Sequence, residues 1–231
     1  MPALPISAAA GQGQLVLLLG ANGTGKSTLL RTIAGLQPSL SGEILLNGHG
    51  LSAMSRRQLA QTVAVVLTEK LHIPHMAVEQ LVGMGRAPYT NFLGQQTAAD
   101  RLLVDEAIAT TRLQHLRNSL ASQLSDGELQ KVMIAKAIAQ DTPIILLDEP
   151  TAFLDYPTKR ECLQLLQQLA AEKQKTIILS THDIELALPV ANLVWFMQQG
   201  KALCQIHPEE LGEHPDFQQF ISNKAQEEQQ E

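Results

Sequence analysis

The feature that most constrains this chain is Gly20-Ala-Asn-Gly-Thr-Gly-Lys26-Ser27, which fits G-x-x-x-x-G-K-[ST]. The pattern has a mechanism only between a strand and a helix, and it lies there. Residues 13–20 are an apolar run closed by glycine, and residues 27–34 have apolar positions at helical spacing. Gly20, Gly23 and Gly25, with Asn22 and Thr24 between them, let successive backbone N–H groups curl around phosphate oxygens. The helix N-terminus adds its partial positive charge. Lys26 is expected to reach the β- and γ-phosphates, Ser27 to ligate Mg²⁺, and Thr28 to join the cradle from the first helical turn. With glycine near 7% of residues, a chain of this length meets the pattern by chance roughly once in a hundred.

Such a loop calls for a carboxylate at the end of a neighbouring strand. Residues 142–148 read as a buried strand ending in Asp148-Glu149-Pro150. Asp148 is expected at the metal and its water shell, and Glu149, one residue further on, as general base toward an attacking water. Residues 62–67 and 175–181 read as further strands, and residues 156–172 as a helix with a core-facing leucine stripe. Apolar strands alternating with helices predict a mainly parallel α/β sheet covered on both faces, a P-loop NTPase architecture. Residues 69–123 read instead as an inserted helical subdomain, with helices over 78–84 and 98–113 broken by Pro74, Pro88 and Gly94. From Lys224 the chain is polar, so residues 224–231 read as a flexible acidic tail on one domain spanning 1–231.

The formal net charge of −6 offers no basic field for nucleic acid. Two cysteines, Cys162 and Cys204, lie outside any CxxC pattern, which fits a reduced compartment. No apolar run approaches the roughly 18 residues that span a bilayer, and no leader segment is visible. A membrane role would therefore run through a partner.

The order phosphate loop, Leu124-Ser125-Asp126-Gly127-Glu128, Leu146-Leu147-Asp148-Glu149-Pro150, Phe153-Leu154-Asp155 and Thr181-His182-Asp183 resembles the nucleotide-binding subunits of ABC transporters. The resemblance makes residues 124–128 the signature motif, residues 153–155 the D-loop and His182 the switch histidine. It implies a head-to-tail homodimer, with each ATP held between the phosphate loop of one subunit and the signature of the other. Ser125, Gly127 and Asp155 would then face nucleotide, and His182 would contact the γ-phosphate. Ser125 and the Gly127 backbone open the helical run 128–139, a second N-terminus suited to phosphate. The segment Val78-Glu-Gln-Leu-Val-Gly-Met-Gly-Arg86-Ala-Pro88-Tyr89 is similar to that of ATPases serving iron-siderophore, haem and cobalamin importers. Its plainer reading is a helix ending at Arg86 with Pro88 beyond it. The importer resemblance implies integral membrane permease partners docked around Val78 to Tyr89, a substrate-binding protein acting indirectly, and a position on the cytoplasmic face of the cell membrane.

Three departures from that family pattern stand out. Asp126 replaces the first glycine of the signature and Glu128 its usual glutamine; both side chains are expected to turn away from the γ-phosphate, leaving Ser125 and Gly127 to meet it. The Q-loop glutamine is replaced by Thr68, with Glu69 adjacent, and the Thr68 hydroxyl is a candidate for Mg²⁺ or a bridging water. Only 19 residues precede Gly20 and none is aromatic, so weaker selectivity for the adenine base is expected, or a missing natural N-terminal segment. His72 with His75, and Cys204 with His207, supply two ligands each, which do not make a structural zinc site. Competing readings are a soluble ABC-type ATPase of cluster assembly or nucleic-acid maintenance, and a non-hydrolysing nucleotide-binding regulator.

Overall fold

The computed structural model describes residues 6–68 and 75–228, the last six as backbone alone. Its central sheet runs in the order β4 (Val63–Val66), β5 (Ile144–Asp148), β6 (Thr176–Ser180), β1 (Leu15–Gly20), β7 (Leu193–Met197) and β8 (Cys204–Ile206). All neighbours are parallel except β7 and β8. A small hairpin, β2 (Leu45–Leu46) with β3 (His49–Gly50), stands apart from it.

Parallel strands need cover on both faces, and alternate residues find it. Leu15, Leu17 and Leu19 join Ile145, Leu147, Ile177 and Leu179 in one cluster, covered by Leu163 and Leu166 of α6 (Tyr156–Lys173). Val16 and Leu18 join Ile144, Leu146, Ile178 and Trp195 on the opposite face, covered by Leu30 and Ile33 of α1 (Lys26–Ile33). The register sets Asp148 beside Ser180, and Ser180 beside Leu18. Three carboxyl ends, those of β5, β6 and β1, therefore open side by side, the place where open α/β sheets bind ligands.

α2 (Arg56–Thr62) leads into β4 from a capping box in which Ser55 and Gln58 bond reciprocally. The insertion contains α3 (Val78–Gly83) and α4 (Ala98–Thr110), which pack against α5 (Asp126–Gln140) around Val82, Val104, Ile108, Val132 and Ala135. Ile134 and Ala137 of the same α5 enter the sheet cluster. One helix thus ties the insertion to the sheet, and its N-terminus carries Ser125 to Glu128.

Two helix ends differ from the sequence reading. The helix read over 98–113 stops at Thr110, because the chain turns at Arg112 with φ of 57°. The helix read over 78–84 stops at Gly83, and in place of the plainer reading, a helix running on to Arg86, the chain continues as a 3₁₀ turn, Met84–Tyr89, containing Pro88. The cause is packing: a Cβ on Gly85 would strike the Lys136 carbonyl of α5, so the turn seats flush on that helix and buries Arg86. At the C-terminus, α7 (Ile184–Ala187) and α8 (Pro208–Leu211) precede α9 (Pro215–Glu228). The backbone is therefore helical through Glu228, where an irregular tail was expected from Lys224; residues 229–231 lie outside the described residues. Phe217 and Phe220 hold α9 to Phe196 of β7, with ring centroids 5.7 and 5.5 Å away. No helix among the described residues is long and apolar enough to cross a membrane.

Candidate active site

The loop after β1 is shaped by glycine. A Cβ on Gly20 would strike the Met197 carbonyl, and Gly25, the residue before α1, has φ of 101°. No side chain caps α1, so its first backbone N–H groups stay open to an anion. Lys26 is buried and its Nζ donates to the carbonyls of Gly20 (2.7 Å) and Ala21 (3.1 Å). Burial pulls its ammonium below the ordinary lysine range, while Glu149 and Asp148 push it back up. Asn22, Ser27 and Thr28 are exposed and Thr24 is half-buried, its hydroxyl donating to the Ala21 carbonyl at 2.9 Å.

Asp148 is buried at the end of β5 and fastened from both sides. Its Oδ1 accepts the Ser180 hydroxyl at 2.7 Å, and its backbone carbonyl accepts the Thr68 hydroxyl at 3.0 Å. Thr68 therefore spends its proton on Asp148's backbone and keeps only lone pairs to offer; Glu69 lies outside the described residues. The Glu149 N–H donates to both the carbonyl and the hydroxyl of Ser180, each at 3.1 Å, and holds φ at 51°, a strained value for glutamate. Glu149 Oε2 accepts the His182 backbone N–H at 3.1 Å; Oε1 is shielded from water, makes no hydrogen bond, and lies 3.3 Å from His182 Nε2. Burial pushes the Glu149 carboxyl up to about 7, opposed by that His182 bond and by Lys26. A carboxyl poised there is suited to general-base work near neutrality.

Sequence reasoning missed the residues that hold these groups. Asp183 accepts from Thr151 (2.7 Å) and Lys159 (2.7 Å), fixing the turn that carries His182 to the turn after Glu149 and to α6. Ser180 was passed over as an ordinary strand residue. Ser180→Ala is expected to lower stability by about 1–3 kcal/mol, because a buried carboxylate oxygen loses its donor. Thermal melting would show it, and Ser180→Thr, which keeps the hydroxyl, should lose less.

The structure does not bring every expected residue to this cluster. Ser125 caps α5 and Asp155 caps α6, accepting the Thr158 N–H at 3.1 Å; hydrogen bonding from the Thr158 side chain and then from its backbone holds the Asp155 carboxyl below the usual range. Gly127 rests on the D-loop: a Cβ there would lie 2.9 Å from the Phe153 carbonyl. Glu128 turns back on Ser125, its Oε2 accepting the Ser125 N–H and hydroxyl, both at 2.8 Å. Asp126 is exposed in the first turn of α5. Among the described residues no group of three His, Cys, Asp or Glu side chains forms a metal cage, and His72 lies outside them.

Arg86, read as the mark of an importer segment, is a buried structural hub. Its Nε donates to Asp100 Oδ1 at 2.9 Å, and one terminal nitrogen donates to the carbonyls of Ala139 and Gln140, each at 3.0 Å. The guanidinium also lies 3.9 Å above the Tyr89 ring.

Residues 4–152 match the family model described as ABC transporter. The chain belongs to the ABC transporter family. Within that family it is an ATPase of the transporter-cassette type with the P-loop fold. This ABC chain is 38% identical over 201 residues to the achromobactin transport ATP-binding protein of Dickeya dadantii, covering 87% of this chain and 74% of that protein. It is 37% identical over 200 residues to a petrobactin import ATP-binding protein of Bacillus anthracis, covering 87% and 73% respectively. The fold matches a dimeric ATP-binding cassette in a post-hydrolysis state, bound to ADP and Pi, with TM-score 0.77, 27% identity and coverage of 88% of this chain and 89% of that one.

Proposed function

We propose that this ABC chain is the ATP-hydrolysing subunit of an importer for an iron chelate, haem or cobalamin. It would act as a head-to-tail homodimer on the cytoplasmic face of the membrane, beneath integral permease subunits, with a substrate-binding protein contributing indirectly. The observation that carries hydrolysis is Glu149: a carboxyl pushed up to about 7, one residue past Asp148, at the mouth of the phosphate loop. Relatives named for petrobactin import, probable siderophore transport and cobalamin import favour uptake of a chelate.

In this reading the loop from Gly20 to Thr28 holds the triphosphate, with Lys26 leaving its loop carbonyls for phosphate oxygens. Mg²⁺ suits the donor set, since it is commonly bound by one or two carboxylates together with substrate phosphates. Ser27 and Asp148 would hold it, with Thr68 bracing Asp148 and its oxygen open to the water shell. The metal supplies charge neutralisation at the phosphates. Glu149 removes a proton from the attacking water, and His182, fixed beside it, contacts the transferred phosphoryl group. Ser125 and Gly127 meet that group from the partner subunit, with Asp155 nearby at the same interface. The helical insertion, about 69–123 in a single ATPase domain, offers Val78 to Tyr89 to the permease. Because Arg86 is committed to Asp100 and α5, exposed neighbours such as Met84 and Ala87 would make that contact.

The test is Mg²⁺-dependent phosphate release from ATP across a range of protein concentration. Specific activity rising with concentration is expected of a site shared by two subunits. A concentration-independent rate would remove the shared site, and permease association surviving substitutions at Met84 and Ala87 would remove the docking assignment.

A further inference from the structure

We infer that Glu128 is a latch on the signature motif, holding the Ser125 hydroxyl away from the incoming phosphate and so restraining closure of the nucleotide-sandwiched dimer. The inference rests on the composite-site reading above. It starts from the proton count of one side chain: a serine hydroxyl has a single proton to donate, and phosphate oxygens only accept. Here the Ser125 hydroxyl donates that proton to Glu128 Oε2 at 2.8 Å, while accepting the Glu128 backbone N–H at 3.3 Å. The same Oε2 accepts the Ser125 N–H at 2.8 Å, so the second local donor is committed as well. Bonds to a carboxylate are charge-assisted and roughly twice as strong as neutral ones.

To engage phosphate, Ser125 must break this bond and turn its proton outward. The carboxylate it leaves remains beside the helix N-terminus and repels the arriving anion, where a neutral amide would not. The Glu128 charge therefore opposes closure twice, through the captured proton and through like-charge repulsion. It also favours the open chain, since an acidic residue in the first turn suits the helix dipole. Glu128 is thus a positioning residue, acting through Ser125.

The experiment measures ATP-driven dimerisation by sedimentation, with Glu149→Gln as parent so that nucleotide is not consumed. Binding of a fluorescent ATP analogue to the single chain runs alongside. Adding Glu128→Gln keeps the capping box and removes the charge; the dimer dissociation constant is expected to fall about tenfold, the scale of a charge-assisted bond made neutral. Glu128→Ala removes both cap and latch. It should lower the melting temperature yet still tighten the dimer, whereas a purely structural Glu128 would weaken both. Unchanged or weaker dimerisation in both variants, with ATP still pairing the parent, overturns the latch and leaves the composite site standing. Nucleotide binding without pairing in parent and variants alike overturns the composite site and the latch with it.

Discussion

Glu149→Gln is expected to reduce ATP turnover by about 10²–10⁴, the usual worth of a positioned general base, while leaving nucleotide binding to the phosphate loop intact. Steady-state phosphate release and single-chain nucleotide binding would separate the two. The unaltered chain should also show a pH dependence that the variant lacks. Its Glu149 carboxyl is pushed up to about 7, so the basic form accumulates as pH rises through neutrality, and turnover should climb between about pH 6 and 8. Stability should move the other way. A carboxyl whose folded pKa lies above its unfolded value of 4.5 contributes stability that is fully present below about pH 4.5 and lost as pH rises through 7. At pH 8 the unaltered chain carries that penalty, about 3 kcal/mol, and the glutamine variant does not. The variant should therefore melt higher than the unaltered chain at pH 8 and close to it at pH 5. A variant that hydrolyses at the normal rate would remove Glu149 as base.

Arg86→Met is expected to lower stability by about 3–5 kcal/mol, or roughly 6–20 °C in melting temperature, because it strands a buried charge. Asp100 would keep its Thr97 bonds, which hold its carboxyl below the usual range, but lose the guanidinium that neutralises it. The carbonyls of Ala139 and Gln140 would lose their donor too. Neutralising the orphan should recover much of the loss: Arg86→Met with Asp100→Asn is expected to melt well above Arg86→Met alone. If the double variant is no better, the cost lies in the carbonyls rather than in the stranded charge.

The parts legible in sequence are those whose physics is local. The phosphate loop reads directly because glycine, lysine and serine must occur at fixed steps, and the strands ending at Gly20, Asp148 and Ser180 read from unbroken apolar runs. Glu128, three residues after Ser125, has the spacing of a capping box, but the cap was not read from it. The fastening of the site was not legible. Ser180 meets Asp148 across 32 positions, and Thr151 meets Asp183 across the same span, so no periodicity announces either pair. The burial of Arg86 went unread for a related reason. A basic residue ahead of a proline looks like a helix terminus from the sequence, and only the flush seat of Gly85 on α5 turns it inward. The strands β7 and β8 and the small hairpin went unread, having no recognisable chemistry at their ends.

The seat of Gly127 on the Phe153 carbonyl bears on timing between the two halves of an assembled pair. Phe153 lies four positions after Glu149, and backbone contact leaves no slack between that turn and the start of α5. In the composite site proposed above, a displacement at a chain's own triphosphate end would be handed by that contact to the helix end it lends its neighbour. Synchrony between the two ATP molecules would then need no long relay, only the thickness of one missing methyl group.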